Sequence, residues 1–338
     1  MFIVGARQVG KSTLAFDVIK QAIDADRKPG QFILTGSADI LSFSRVRESL
    51  AGRVGVFELY PFSVCELLSC KNNLIDSLVS GDIVNRESKL VDDAFLEFVL
   101  KGGYPEVHKI EEDRFRYMWF SSYVRTYLEK DVLELGEIRN IDKFLSLLNI
   151  SASISGNVLV KSNISNDTGL DNKTLDKYLN ILLLLFQITL LRNFSLNVGK
   201  RFIKSSKLYF NDTGLLCYLL GIQSIEELKE SRYYGNIVET FIFSELLKSI
   251  KYAGQNRELF FYRTIDKKEI DFIIKDKNEY IAIEVKASRT IHERDVDTLK
   301  AFSKSLKYGY LLYGGNEVYS LGDNIFALPN KKVLGVRN

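Results

Sequence analysis

Two stretches of this chain carry residue types at spacings that could do chemistry. The first is Gly5-Ala6-Arg7-Gln8-Val9-Gly10-Lys11-Ser12, which fits the phosphate-loop pattern G-x-x-x-x-G-K-[ST]. Gly5 and Gly10 let backbone N–H groups turn inward around phosphate oxygens. Lys11 can bridge the outer phosphates, and the Ser12 hydroxyl can ligate magnesium. Thr13 follows in the helix whose N-terminal dipole favours an anion. The implied ligands are ATP and Mg2+. The second stretch pairs Asp271, in EIDFIIK, with Glu284-x-Lys286, in YIAIEVKA. Side chains alternate along a strand, so Glu284 and Lys286 share a face, and on a hairpin Asp271 and Glu284 can converge on one divalent ion. Lys286 could then orient or activate water while the metal polarises a phosphodiester. The bland alternative is a cross-strand ion pair on a solvated hairpin, and the apolar residues on both sides argue against full exposure.

Hydrolysis of ATP needs a further carboxylate at the end of a neighbouring strand. Between Ser12 and Gln31 the acids are Asp17, Asp24 and Asp26, and none ends a strand-like apolar run. They read as charges on, or just past, a helix.

The elements that must position these residues follow from pattern. Residues 2–4 read as a short strand, and residues 11–27 as a helix ended by Lys28-Pro29-Gly30. Residues 31–36 read as a buried strand and 54–59 (VGVFEL) as another. Residues 63–150 are mostly helical by apolar spacing, broken at Lys101-Gly102-Gly103-Tyr104-Pro105. Residues 158–183 have helix–turn–helix logic. Asn163 to Thr168 form the first helix, Gly169-Leu170 the turn, and Asp171 or Asn172 caps a second helix carrying Lys173, Thr174 and Lys177. Such a helix can enter a major groove, and Lys200, Arg201, Lys204 and Lys207 form a basic cluster able to meet phosphates, which makes DNA a candidate partner. Asp167, Asp171 and Asp176 would repel phosphate, so a packing module is the competing reading. A helix over 233–250 precedes four strand-like segments with one helix near 293–305. Boundaries fall near 65, 145 and 205, giving units 1–65, 66–145, 146–205 and 206–338.

Composition sets limits on these readings. The chain has 338 residues, 46% of them apolar, with 46 basic against 43 acidic side chains. A net charge of +3 is too balanced to argue for nucleic acid from bulk charge. Cys65, Cys70 and Cys217 suit neither a disulfide framework nor a zinc site, which fits a reduced, cytoplasmic setting. Only His108 and His292 are present, so a His-rich metal site is excluded. No signal peptide is visible, and the apolar run ILLLLF stops at Gln187, far short of a membrane span.

The stretches GARQVGKSTL, FILTGS, SLAGRVGVFELYPFSVCEL, KGGYPE and KLYFNDTGLL together resemble prokaryotic AAA-type ATPases that carry a C-terminal domain of unknown function with a nuclease-like fold. The resemblance covers nearly the whole chain. It implies an α/β multidomain protein with a P-loop core, a helical and winged-helix middle, and a C-terminal PD-(D/E)xK nuclease-like α/β domain. It puts Thr35 at a phosphate-sensing position, Arg53 at a charge-stabilising one, and Glu239 as a further partner of the C-terminal carboxylates. A surface or interface salt bridge is the equal alternative for Arg53. The resemblance also implies a homo-oligomer, since AAA-type sites often sit between subunits. This chain departs from the family in lacking a Walker B segment: KSTLAFD runs almost directly into VIKQAIDADRKPG, as if by an internal deletion, and the first strand begins at Met1. The expectation is an ATP-binding fold with a reduced sheet, lower stability over residues 1–65 and impaired hydrolysis. A non-catalytic remnant that binds DNA or protein is the alternative.

Overall fold

The computed structural model describes residues 2–3, 18–26, 28, 30–36, 54–69, 73–85, 92–128, 132, 138, 140–195, 206–264, 266 and 268–334. Over these residues the chain is a mixed α/β protein with three sheets. Near the N-terminus, β1 (Phe2–Ile3) pairs in parallel with β2 (Val56–Phe57), and α1 spans residues 18–25. The buried strand expected over 31–36 is absent. Residues 32–36 are coil, and Ile33 is 57% exposed. A strand needs a neighbour to satisfy its N–H and C=O groups, and no described strand pairs with this segment. The strand expected over 54–59 shrinks to the two residues of β2, with Phe57 and Leu59 exposed.

Dense packing begins at Tyr60. The helical region contains α2 (Val64–Leu67), α3 (Leu74–Ser80), α4 (Asp92–Lys101) and α5 (Asp113–Ser122). Next come α6 (Ile141–Ser153), β3 (Asn157–Val158), α7 (Lys161–Thr168), α8 (Asn172–Leu184), β4 (Ile188–Leu191) and β5 (Lys207–Phe210). Gly169 ends α7 at φ +62°, a conformation that favours glycine. The Asp171 carboxylate caps α8 by accepting from the backbone N–H groups of Lys173 and Thr174. The helix–turn–helix therefore forms where the turn and cap residues predict it. Strands β3, β5 and β4 make an antiparallel sheet in that order, so the sheet of this unit continues past residue 205 to Phe210.

After α9 (Thr213–Leu219) and α10 (Ile225–Glu230) comes α11 (Tyr234–Tyr252). It is followed by β6 (Arg257–Arg263), β7 (Glu269–Asp276), β8 (Glu279–Val285), α12 (Asp297–Phe302), β9 (Tyr308–Tyr313), β10 (Tyr319–Ser320) and β11 (Ile325–Pro329). The six-stranded sheet has the order β10-β11-β9-β8-β7-β6. Strands β6, β7 and β8 are antiparallel neighbours, whereas β8, β9 and β11 run parallel. Both faces of β7 and β8 are covered, which explains their near-continuous apolar sequences. Helix α11 is itself buried at 12 of its 19 residues.

Three short stretches meet at Asp212. Phe62 N–H donates to the Gly103 carbonyl at 2.7 Å. Gly103 N–H donates to Asp212 Oδ2 at 2.7 Å, and Leu215 N–H to Asp212 Oδ1 at 2.9 Å, which caps α9. Burial pushes the Asp212 carboxyl above its usual range, although these N–H donors pull it down. A Cβ on Gly103 would lie 2.2 Å from the Phe62 carbonyl oxygen, so only glycine permits this approach. Gly235, in contrast, opens onto free space at the start of α11. In urea unfolding, Gly103→Ala is expected to destabilise the protein by about 1–3 kcal/mol through overpacking. Gly235→Ala should be neutral or stabilising by up to about 1 kcal/mol from helix propensity.

Candidate functional site

At the end of the six-stranded sheet next to α11, the chain gathers a cluster of opposite charges. Helix α11 supplies Glu239, β7 supplies Glu269 and Asp271, β8 supplies Glu284, and Lys286 follows β8. Phe272 faces Ile283 across the β7–β8 pair, and continuing that register by one residue brings Asp271 opposite Glu284. Asp271 Oδ2 accepts from the Val285 backbone N–H at 2.9 Å. Lys286 Nζ donates to Glu284 Oε1 at 2.7 Å, so the expected sharing of a face is realised as an ion pair. The structure thus places Glu239, Asp271, Glu284 and Lys286 in one cluster, the grouping expected from the sequence pattern and the family resemblance.

The centre of this cluster is Lys207, the first residue of β5. Its Nζ lies 2.9 Å from Glu239 Oε1, 2.5 Å from Glu269 Oε1 and 3.2 Å from Asp271 Oδ1. It also stands 5.8 Å above the Phe261 ring. Lys207 is only 2% exposed, so it cannot meet phosphates as part of a solvent-facing basic cluster. Residues Lys200, Arg201 and Lys204 of that expected cluster lie outside the described residues. Two residues along the same face, Tyr209 donates its hydroxyl to Glu239 Oε1 at 2.5 Å, and its ring stacks on Phe243 of α11 at 4.2 Å.

Burial alone would lower the Lys207 ammonium pKa, but Asp271, Glu239 and Glu269 outweigh it and hold the group well above the ordinary lysine value. Burial and then the Asp271 charge push Glu239 up to about 7, against the pull of Lys207 and Tyr209. The same first causes push Glu284 up to about 8, against Lys286. A raised lysine facing a raised glutamate looks contradictory for a simple ion pair. Burial and the Asp271 charge raise Glu239, and the one opposing ammonium is shared by three carboxylates, so no single acid receives its full stabilisation.

A divalent ion at this centre would require the oxygens of Glu239, Asp271 and Glu284 to converge on it at about 2.0–2.6 Å. Glu239 and Asp271 instead direct oxygens to Lys207, and Glu284 Oε1 is taken by Lys286. Among the described residues, no group of three or more His, Cys, Asp or Glu is placed to hold a metal ion. As folded, the side chains around Lys207 hold an ammonium and do not fit a metal.

The other expected site residues are distributed differently. Gly5, Gly10, Lys11, Ser12, Thr13 and Arg53 lie outside the described residues. Thr35 is exposed on coil, so the strand end expected to carry it is missing. On α8, Lys173 and Lys177 are exposed, while the Thr174 hydroxyl is used within the cap of Asp171 at 2.6 Å. Sequence reasoning missed Lys207 as a partner of the carboxylates, and it missed Glu269. The available signals were the period-two match of Lys207 with Tyr209 in KLYF and of Glu269 with Asp271 in EID.

The raised acids make stability depend on pH in a definite direction. Glu239 and Glu284 start from 4.5 and reach about 7 and about 8 in the folded protein, so between those limits the folded state binds more protons than the unfolded one. Their contribution is present at low pH and is lost as pH rises from about 5 to about 8, by up to about 1.4 kcal/mol per pH unit for each extra proton. Glu284→Gln should flatten this slope and be more stable than the parent at pH 8 in urea unfolding; equal slopes for the two proteins would contradict the assignment.

Comparison with known proteins gives three consecutive matches. Residues 15–68 match an AAA domain, residues 92–226 a domain of unknown function (DUF8612), and residues 234–333 a domain of unknown function (DUF4143). The AAA match begins after Ser12, so the phosphate-loop motif precedes it. The chain is similar to the uncharacterized protein Rv2008c of Mycobacterium tuberculosis, with 24% identity over 94% of this chain and 66% of that protein. It is also similar to the uncharacterized protein MJ1544 of Methanocaldococcus jannaschii, with 28% identity over 81% of this chain and 59% of the relative. An uncharacterized protein of Haemophilus influenzae is 26% identical over 78% of this chain and 61% of its own length. The chain therefore spans about two thirds or less of the curated relatives it matches. In chain order, the AAA-domain and DUF4143 matches support an AAA-type ATPase family.

Proposed function

We propose that this chain is an ATP-binding AAA-type protein whose nucleotide-binding segment is anchored on a nuclease-like C-terminal domain, with a winged-helix unit between them. The observation that carries this reading is the join at Tyr60–Val64, inside the AAA-matched segment. Tyr60 N–H donates to the Tyr252 hydroxyl at 2.8 Å, and Val64 N–H to Glu245 Oε2 at 3.0 Å. The Phe62 carbonyl accepts from Lys248 Nζ at 3.0 Å. Glu245 and Lys248 are buried on α11 and pair with each other at 3.1 Å. Breaking a buried pair on one side leaves an uncompensated charge, at about 3–5 kcal/mol. The end of the AAA segment is therefore held rigidly against the helix that also carries Glu239.

The remaining parts of the reading have separate support. The element order α11, β6, β7, β8, α12, β9, with the carboxylates on β7 and β8, supports the nuclease-like assignment. The helix–turn–helix followed by β4 and β5 supports the winged-helix one. Gly5, Gly10, Lys11, Ser12 and Thr13 would hold the phosphates and Mg2+, with Thr35 and Arg53 nearby in the AAA segment. The missing carboxylate strand makes the nucleotide a ligand that is held rather than rapidly turned over. Contact with DNA ranks second. Lys207 is withdrawn from the surface, and Asp176 on the exposed side of α8 pairs with Lys161 at 2.6 Å. Homo-oligomer formation rests on the family resemblance.

The test is thermal unfolding with ATP and Mg2+. A ligand bound only by the folded state stabilises it by about 2.7 kcal/mol at a hundredfold excess over its dissociation constant. The melting temperature of the parent protein should rise by several degrees, and that of Lys11→Ala should not. An unchanged melting temperature in the parent would remove the ATP-binding reading. Steady-state hydrolysis at the median enzyme rate of about 10 s−1 would overturn the claim that turnover is impaired.

A further inference from the structure

Three acids from two different elements share Lys207 at ion-pair distance. Glu239 reaches it from α11, and Glu269 and Asp271 reach it from β7. Its own backbone belongs to the other sheet, between β3 and β4. An ammonium is a compact point charge with three donors, and here each donor has a carboxylate oxygen within 3.2 Å. Around it, Arg263 pairs with Glu269 at 3.3 Å and Lys286 with Glu284 at 2.7 Å. Four carboxylates thus face three cations, and the buried Glu284 Oε2 has no hydrogen-bond partner. The acids of the centre outnumber its cations by one.

We propose that Lys207 Nζ is the resident cation of this centre, filling the place between Glu239 and Asp271 that a divalent metal would take. The centre is closed to metal while Lys207 is inserted, and it becomes a divalent-cation site when the lysine is removed. The inference stands on the geometry of the C-terminal carboxylates and β5, and it is independent of nucleotide binding. It also separates two roles that the sequence pattern merges. Asp271, Glu284 and Lys286 keep the spacing of a metal-dependent phosphodiesterase, yet the cation they face is supplied by the chain itself. The domain then acts as a closed module, without Mg2+-dependent cleavage.

The test uses the full chain and Mn2+ as the probe, with isothermal titration and thermal unfolding. Parent protein and Asp271→Asn should take up Mn2+ indistinguishably, because no Asp271-dependent site is open. Lys207→Ala should gain one Mn2+ site that is lost again in Lys207→Ala/Asp271→Asn. Its melting temperature should rise with Mn2+, by about 5 °C at a hundredfold excess over the dissociation constant, while the parent shifts no more than its Asp271→Asn control. Asp271-dependent Mn2+ binding by the parent would overturn the proposal, whatever the variants do. So would a folded Lys207→Ala that binds no Mn2+, or one that stays unfolded with and without millimolar Mn2+, since the metal is expected to replace the missing charge. Folding of that variant only when Mn2+ is present would support it.

Discussion

The fold depends on satisfying the polar side chains of one buried helix. Helix α11 sits among apolar residues on most of its surface, yet it carries Asn236, Glu239, Thr240, Glu245, Lys248 and Ser249. A buried polar group without a partner is strongly unfavourable, and a buried charge more so. Together these residues are partnered by four separate stretches of the chain. Asn236 and Thr240 bind Ser155 in the turn just after α6, and Glu239 binds Lys207 and Tyr209 on β5. Glu245 and Lys248 hold the main chain at Val64 and Phe62, and the Ser249 hydroxyl receives the Ile75 N–H at the start of α3. The long-range architecture is in this sense a solution to a hydrogen-bonding problem set by a single stretch of sequence, YGNIVETFIFSELLKSIKY.

That arrangement has a mechanical consequence. Glu239 and Glu245 are six positions apart on one helix, or about 9 Å along its axis. The carboxylate centre and the join to the AAA-matched segment are therefore two points on the same rigid element. The Asp212 junction adds a second link, since the backbone N–H groups of Gly103 and α9 donate to its carboxylate and Phe62 N–H donates to the Gly103 carbonyl. A change in how the AAA-matched segment is held would be felt by α11, because packed interiors transmit displacement rather than absorb it.

Sequence reading succeeded where a local rule decides the structure. Gly169 and Asp171 announce the turn and cap of the helix–turn–helix because φ > 0 and N-cap chemistry are local requirements. The strands β7 and β8 were legible from short apolar runs bounded by polar turns, and Asp271, Glu284 and Lys286 followed from period two. It failed where pairing partners decide. FILTG has the composition of a core strand, but no described neighbour completes it, and residues 32–36 are coil. Lys207 looked like the last member of a basic run because composition carries no burial information. Its 2% exposure and its three carboxylate partners on α11 and β7 show that its side chain is directed into the protein. Glu269 was overlooked because its role depends on that same misplaced lysine.

The central claim is that nucleotide bound by the AAA segment is mechanically connected to the buried helix through Tyr60–Val64. Amide hydrogen exchange of the full chain with and without ATP and Mg2+ tests it most directly, with Lys11→Ala as the control. The account predicts that ATP slows exchange at Tyr60–Val64 and also over Glu245–Tyr252 of α11, and that Lys11→Ala shows neither effect. Slowing confined to residues before 54, or identical slowing in Lys11→Ala, would contradict it.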